Sequence, residues 1–149
     1  MFRHSGCNVC QYLASRTDEK GSKEVVRLDS ERMVPVYSCT VFEECAPIHF
    51  NQVDRSIYVA TNKGQNTNVI ELDLLDPQTG QTSLVEKDPK NSVDLQKAFL
   101  SDVADRLLAI VYDDDRKRIS WKDRHSNPTA SGYRTNRLDG VLFRFACQG

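Results

Sequence analysis

Five cysteines and three histidines are the side chains of this sequence best suited to chemistry. Cys7 and Cys10 enclose Asn8 and Val9, a spacing with two chemical uses. In a redox motif the first thiolate is stabilised by a helix N-terminus that follows a strand. The opening MFRHSGCNVCQYLAS has no such pattern. In a zinc site, two close cysteine pairs supply four soft ligands. Cys39 and Cys45 are the other pair available, with His4 and His49 nearby in sequence, but Thr-Val-Phe-Glu-Glu between them is longer than a zinc knuckle. An odd cysteine count with no secretory leader favours free thiols in a reducing compartment, held as small, partly buried groups. Cys7, Cys10, Cys39, Cys45 and Cys147 are therefore expected to be free, with no metal and no cofactor bound.

Asp113, Asp114 and Asp115 offer oxygens to a hard cation. They lack the alternating spacing and the glycine of a calcium loop, and Arg116, Lys117 and Arg118 follow at once. A solvated turn is the expectation. The same cations, with Lys122 and Arg124, surround Trp121, as on a surface where phosphates meet cations and a base stacks on a ring. Three adjacent aspartates weaken that field, and Trp121 is expected to pack between layers. His49 sits between Ile48 and Phe50 and reads as a satisfied histidine of a core or edge. A serine hydrolase needs a G-x-S-x-G elbow to expose its nucleophile beside the oxyanion hole. None of Gly6, Gly21, Gly64, Gly80, Gly132, Gly140 and Gly149 stand four apart. None of His4, His49 and His125 follows a nucleophile and an acid in hydrolase order. No catalytic residue is assigned.

The elements that must position these groups belong to a chain of 149 residues, 39% hydrophobic and 28% charged, with a net charge of −1. This is the length of one ordinary domain. The charge balance argues against a polyanion-binding surface and a disordered acidic tail. No apolar window reaches the roughly 18 residues a membrane span requires, and the first residues lack a signal-peptide core. The expectation is a cytoplasmic protein with no nucleic-acid and no membrane partner.

The pattern along the chain is β. Glu24–Asp29 and Val34–Phe42 read as strands, Pro35 marking an edge or an entry. Ser56–Thr61 is a continuous apolar run of the kind buried on both faces. Residues 62–68 form a turn rich in Gly and Asn. Val69–Leu75 and Thr82–Lys87 flank the Asp76-Pro77-Gln78-Thr79-Gly80-Gln81 turn and make a hairpin. Arg106–Tyr112 is a second buried run, Asp113–Arg118 a charged turn and Ile119–Lys122 the start of another strand. Residues 93–103 have a helical alternative, but Ala98–Leu100 is preferred as a short strand because of a repeat. Residues 48–61 and 97–112 share one layout: short strand with a Phe, polar turn with Asp-Arg, buried strand. The pairs Asp54-Arg55 and Asp105-Arg106 lie about fifty residues apart, the period of one four-stranded propeller blade. Residues 125–132 are polar and loop-like, and Val141–Ala146 is a candidate last strand.

Ser56–Thr61 followed by Asn62-Lys63-Gly64-Gln65-Asn66-Thr67 resembles the strand and Asn-x-Gly-x-Asp-Thr stretch of propellers in the prolyl oligopeptidase and acylaminoacyl-peptidase superfamily. Val69–Leu74 with Thr79-Gly80, then Glu86–Pro89 with Val93-Asp94, is similar to the hairpin and link that follow there. Leu108–Arg116 and Trp121–Asp123 resemble the family's next strand, Tyr, acidic pair and Arg. The resemblance covers roughly residues 45–124, and Asn66 stands where the family has Asp. It implies a mainly β fold of about two to three four-stranded antiparallel blades of an incomplete β-propeller. Residues 1–44 would be a partial blade or irregular lead-in, 45–124 propeller-like blades and 125–149 a polar loop with a terminal strand. It further implies a non-catalytic, substrate-gating segment of a serine peptidase, with the chain expected to be a fragment and no enzyme by itself. Its partner would be a hydrolase domain, or a second copy joined through uncovered blade faces. Charged turns in that family can face the hydrolase domain, which makes Arg116 the candidate interface contact. The alternative is an independent β-rich protein-interaction module.

Overall fold

The computed structural model describes residues 12–29, 31–64, 69–101, 103–122 and 143–144. Eleven strands and no helix occur among them: β1 (Tyr12–Thr17), β2 (Lys23–Asp29), β3 (Arg32–Cys39), β4 (Cys45–Asn51), β5 (Ser56–Thr61), β6 (Glu71–Leu75), β7 (Thr82–Glu86), β8 (Leu95–Leu100), β9 (Leu107–Tyr112), β10 (Arg118–Trp121) and β11 (Phe143–Arg144). They form three antiparallel sheets. The first runs β11-β1-β2-β3, the second β4-β5-β6-β7 and the third β8-β9-β10.

The second sheet lies in the middle, and its side chains show why. Ile57, Val59 and Leu75 pack with Leu13, Val25, Tyr37, Cys39 and Cys45, a cluster shared with the first sheet. Tyr58, Ala60 and Leu72 point the other way, into a cluster with Leu95, Ala98, Ile110 and Tyr112 of the third. Alternate residues of β5 thus meet different neighbours, and all six are buried. This is the physical content of its unbroken apolar sequence.

Local chemistry sets the turns. Between β6 and β7, the Asp76 carboxylate accepts the Gln78 N–H at 2.8 Å and the Thr79 hydroxyl at 2.9 Å. Gly80 closes the turn with φ of 73°, and a Cβ there would lie 2.5 Å from the Val36 carbonyl oxygen. Only glycine fits both the left-handed backbone and the contact with β3. Pro35 sits on edge strand β3, opposite Val26 beside a register shift, and edges and bulges are where a sheet tolerates proline.

One preference holds and two expectations change. Residues 95–100 form a strand, so the helical alternative is excluded. The third sheet has three strands among the described residues rather than four. Trp121 does not pack between layers: it lies on edge strand β10 and is 47% exposed. A four-residue strand at the rim has no further sheet beside it among the described residues to cover the ring. β1 had no counterpart in the sequence reading, because in Tyr-Leu-Ala-Ser-Arg-Thr only Leu13 is a large aliphatic side chain. Of the candidate strand Val141–Ala146, Phe143 and Arg144 are described, paired with Leu13 and Tyr12. The calls on Cys7, Cys10, Cys147, His4, His125, Asn66 and the 125–132 loop lie outside the described residues.

Candidate functional site

Antiparallel pairing gathers the connections β1–β2, β3–β4, β5–β6, β7–β8 and β9–β10 at one end of the stack. Bonds between neighbouring sheets hold them there. Lys23 binds Glu44, and the Glu44 N–H meets the Asn62 side chain at 2.8 Å. The Ile70 N–H donates to Asp94 Oδ1 at 2.8 Å, and Asp113 N–H to the Asp94 carbonyl at 3.3 Å. Val69, Ser92, Val93, Asp94, Gln96 and Asp113 line an open groove of about 460 Å³ at this end. Arg116 lies on the β9–β10 turn close by in sequence, is exposed and forms no ion pair with another described residue. Asp113 and Asp115 are exposed as well, as a solvated turn requires.

Two of the cations near Trp121 in sequence are engaged: Lys122 pairs with Glu86 at 2.6 Å, and Arg118 is the more fully held. Its Nη2 donates to Asp88 Oδ1 at 2.7 Å, and its guanidinium lies 5.0 Å from the centre of the Tyr112 ring. Asp88 is fully buried and accepts the Ser92 N–H at 3.0 Å and the Ser92 hydroxyl at 3.1 Å. Burial alone would raise its pKa, but the Ser92 N–H, Arg118, the Ser92 hydroxyl and the Lys90 N–H together hold it well below the usual carboxylate range. Burial first, then the charges of Glu86 and Asp88, push the Tyr112 phenol up to about 12. Asp88 thus ties the β7–β8 connection to β10, fastening the second sheet to the third. Its local signal is Asp-Pro-Lys-Asn-Ser, an acid that receives a backbone N–H four residues on; Asn91 supplies the positive φ of 51°.

A second set of acids lies between the first and second sheets. Glu71 and Asp73 of β6 are 2% and 4% exposed. Burial raises the pKa of both, and the charge of Asp73 raises that of Glu71 further, against Lys87 and a hydrogen bond from Thr82 to Asp73. Sequence reading passed over the pair because Glu-Leu-Asp-Leu also fits a strand with one solvated face. Only the presence of sheets on both sides of β6 turns that pattern into buried carboxyl groups.

Cys39 and Cys45 are joined in a disulfide, which corrects the expectation of free thiols for these two. Five residues separate the end of β3 from the start of β4, and the Cα atoms stand 6.0 Å apart, within disulfide reach. The bond removes both residues from any zinc set and takes away the thiol argument for a reducing compartment. Among the described residues no group of three His, Cys, Asp or Glu side chains could hold a metal ion, and no helix is long and apolar enough to cross a membrane. His49 is a satisfied histidine: Nε2 lies 2.8 Å from Asp105 Oδ1, and Asp105 Oδ2 accepts the Gln52 N–H at 3.1 Å. The two Asp-Arg turns singled out by the repeat are thereby bonded to each other across the second and third sheets. Compared with protein-family models, curated proteins and solved structures, the chain matches none.

Proposed function

We propose that this chain forms adjacent blades of a β-propeller of the prolyl oligopeptidase type. It acts, without chemistry of its own, as the cover that limits access to an α/β-hydrolase domain. The observation that carries the reading is the second sheet: four strands in chain order, clamped between two other antiparallel sheets through separate apolar clusters. Its buried strand begins at Ser56 and the matching strand of the third sheet at Leu107, the spacing of one blade. Exposed Arg116 stands at the end where five connections converge, the end that would meet a second domain. Sequencing the complete messages that carry this reading frame tests the proposal. It expects the frame to be joined to a domain with a G-x-S-x-G elbow followed by Asp and His. Complete messages with no such domain would overturn it.

One observation favours the alternative of an independent interaction module. Met33 on β3, Leu84 on β7, and Ile119 and Trp121 on β10 leave large apolar side chains exposed on three edge strands. Exposed apolar edges suit pairing with another chain. Light scattering on the purified protein would show a stable oligomer under this reading.

A further inference from the structure

Glu71 and Asp73 alternate with Leu72 and so share one face of β6. Leu75, next on that face, belongs to the cluster with the first sheet. In register, Glu71 lies opposite Thr61 and Asp73 opposite Val59. Tyr37 of β3 reaches across the gap and places its hydroxyl 3.2 Å from Thr61 Oγ1. Both acids are more than nine-tenths buried, and Glu71 Oε1 and Asp73 Oδ1 find no hydrogen-bond partner. Neither carboxylate forms an ion pair among the described residues. A buried carboxylate left this way is far costlier ionised than neutral.

We propose that Glu71 and Asp73 form a proton-operated latch between the first and second sheets: neutral carboxyls keep the sheets closed, and ionisation loosens them. The surrounding charged groups do not replace the proton. Lys63 lies over the Tyr37 ring at 4.7 Å from its centre and donates to the Ser38 carbonyl. On β2, Lys23 is held by Glu44 at 2.6 Å and Arg27 by Asp29 at 2.9 Å. Glu43 is bound to Thr40 in the β3–β4 connection. Lys87, just beyond β7, favours the ionised form of Glu71 but is outweighed by burial and by Asp73. The folded state therefore binds these protons more tightly than the unfolded state. The associated stability is complete below the ordinary carboxylate range and is lost as pH rises through the raised folded values.

Urea unfolding of the full chain between pH 4.5 and 8.5 tests the latch, with Glu71→Gln, Asp73→Asn and the double variant. The amides copy the neutral acids in shape and cannot ionise. Each unit by which a pKa is raised is worth about tenfold in the folding equilibrium. The ratio of variant to wild-type folding constants should therefore rise steadily from pH 4.5 to 8.5, and at pH 8.5 the variants should be the more stable proteins. Parallel profiles, or variants weaker at every pH, would overturn the proposal. Infrared spectroscopy of the wild type alone gives a second reading that needs no variant. A protonated-carboxyl band should persist above the pH at which ordinary carboxylates ionise, and its absence there would overturn the proposal equally.

Discussion

Removing the Asp88 carboxylate should unfasten the second sheet from the third. In Asp88→Ala, the Ser92 N–H and hydroxyl and the Arg118 guanidinium lose their shared acceptor. Ser92 itself lies at the surface, so water can take over its donors, and what is lost is hydrogen bonding to a charged acceptor, worth about 1.5–3 kcal/mol. The Arg118 side chain is 37% exposed, so water takes over much of its charge and its share is small. The expected loss is about 2–4 kcal/mol, a large part of the roughly 5–15 kcal/mol that holds a domain together. Asp88→Asn keeps an oxygen for Ser92 but surrenders the charge, and should cost about half as much, on the order of 1–2 kcal/mol. Urea unfolding at pH 7 measures both, with the midpoint moving and the slope unchanged. The pH dependence has a definite sign. The folded pKa of Asp88 is depressed, so its stabilisation is present above the unfolded value of about 3.9 and is lost as pH falls through the folded one. The gap between wild type and Asp88→Asn should hold steady above about pH 5 and shrink below about pH 4. An Asp88→Ala loss under about 0.5 kcal/mol, the range of an ordinary surface substitution, would refute the assignment of Asp88 as the fastening between sheets.

Four further outcomes follow from the same structure. Cys39 and Cys45 should resist alkylation until reductant is added, and peptide mapping should recover them linked; Cys39→Ser should cost about 2 kcal/mol from the small loop released. Gly80→Ala should destabilise the fold by more than about 1 kcal/mol in urea unfolding, since it combines a positive φ with a backbone clash at Val36. Leu72→Ala and Ile110→Ala, on facing sheets of one cluster, should each cost about 2–5 kcal/mol in thermal or urea unfolding. A serine-reactive fluorophosphonate should leave the purified chain unlabelled; specific labelling of a single serine would contradict the proposal that the chain has no chemistry of its own.

The legible parts of the fold were those written in local chemistry. Ile57–Ala60 and Leu107–Tyr112 are unbroken apolar runs, and apart from Leu107 every residue in them is buried. Asp76, Thr79 and Gly80 carry their own turn. The illegible parts depend on what lies opposite. Strand β1 has one buried aliphatic anchor, Leu13, and takes its place from pairing with β2. Glu71 and Asp73 look like solvent-facing acids until the first sheet is placed above them. The disulfide follows from the approach of two strand ends, which a count of cysteines does not reveal. Within the run Arg116-Lys117-Arg118, spacing could not tell the exposed Arg116 from Arg118, which β10 turns back onto Asp88.

We propose that the three sheets are propeller blades that cover a serine hydrolase. It is tested most directly by recovering the native protein from its own cells with an antibody to this chain and treating it with a fluorophosphonate probe. The recovered material should contain a labelled hydrolase whose labelled peptide is a G-x-S-x-G elbow, in amounts equal to the chain. Recovery of the chain in good yield with no labelled hydrolase would contradict it.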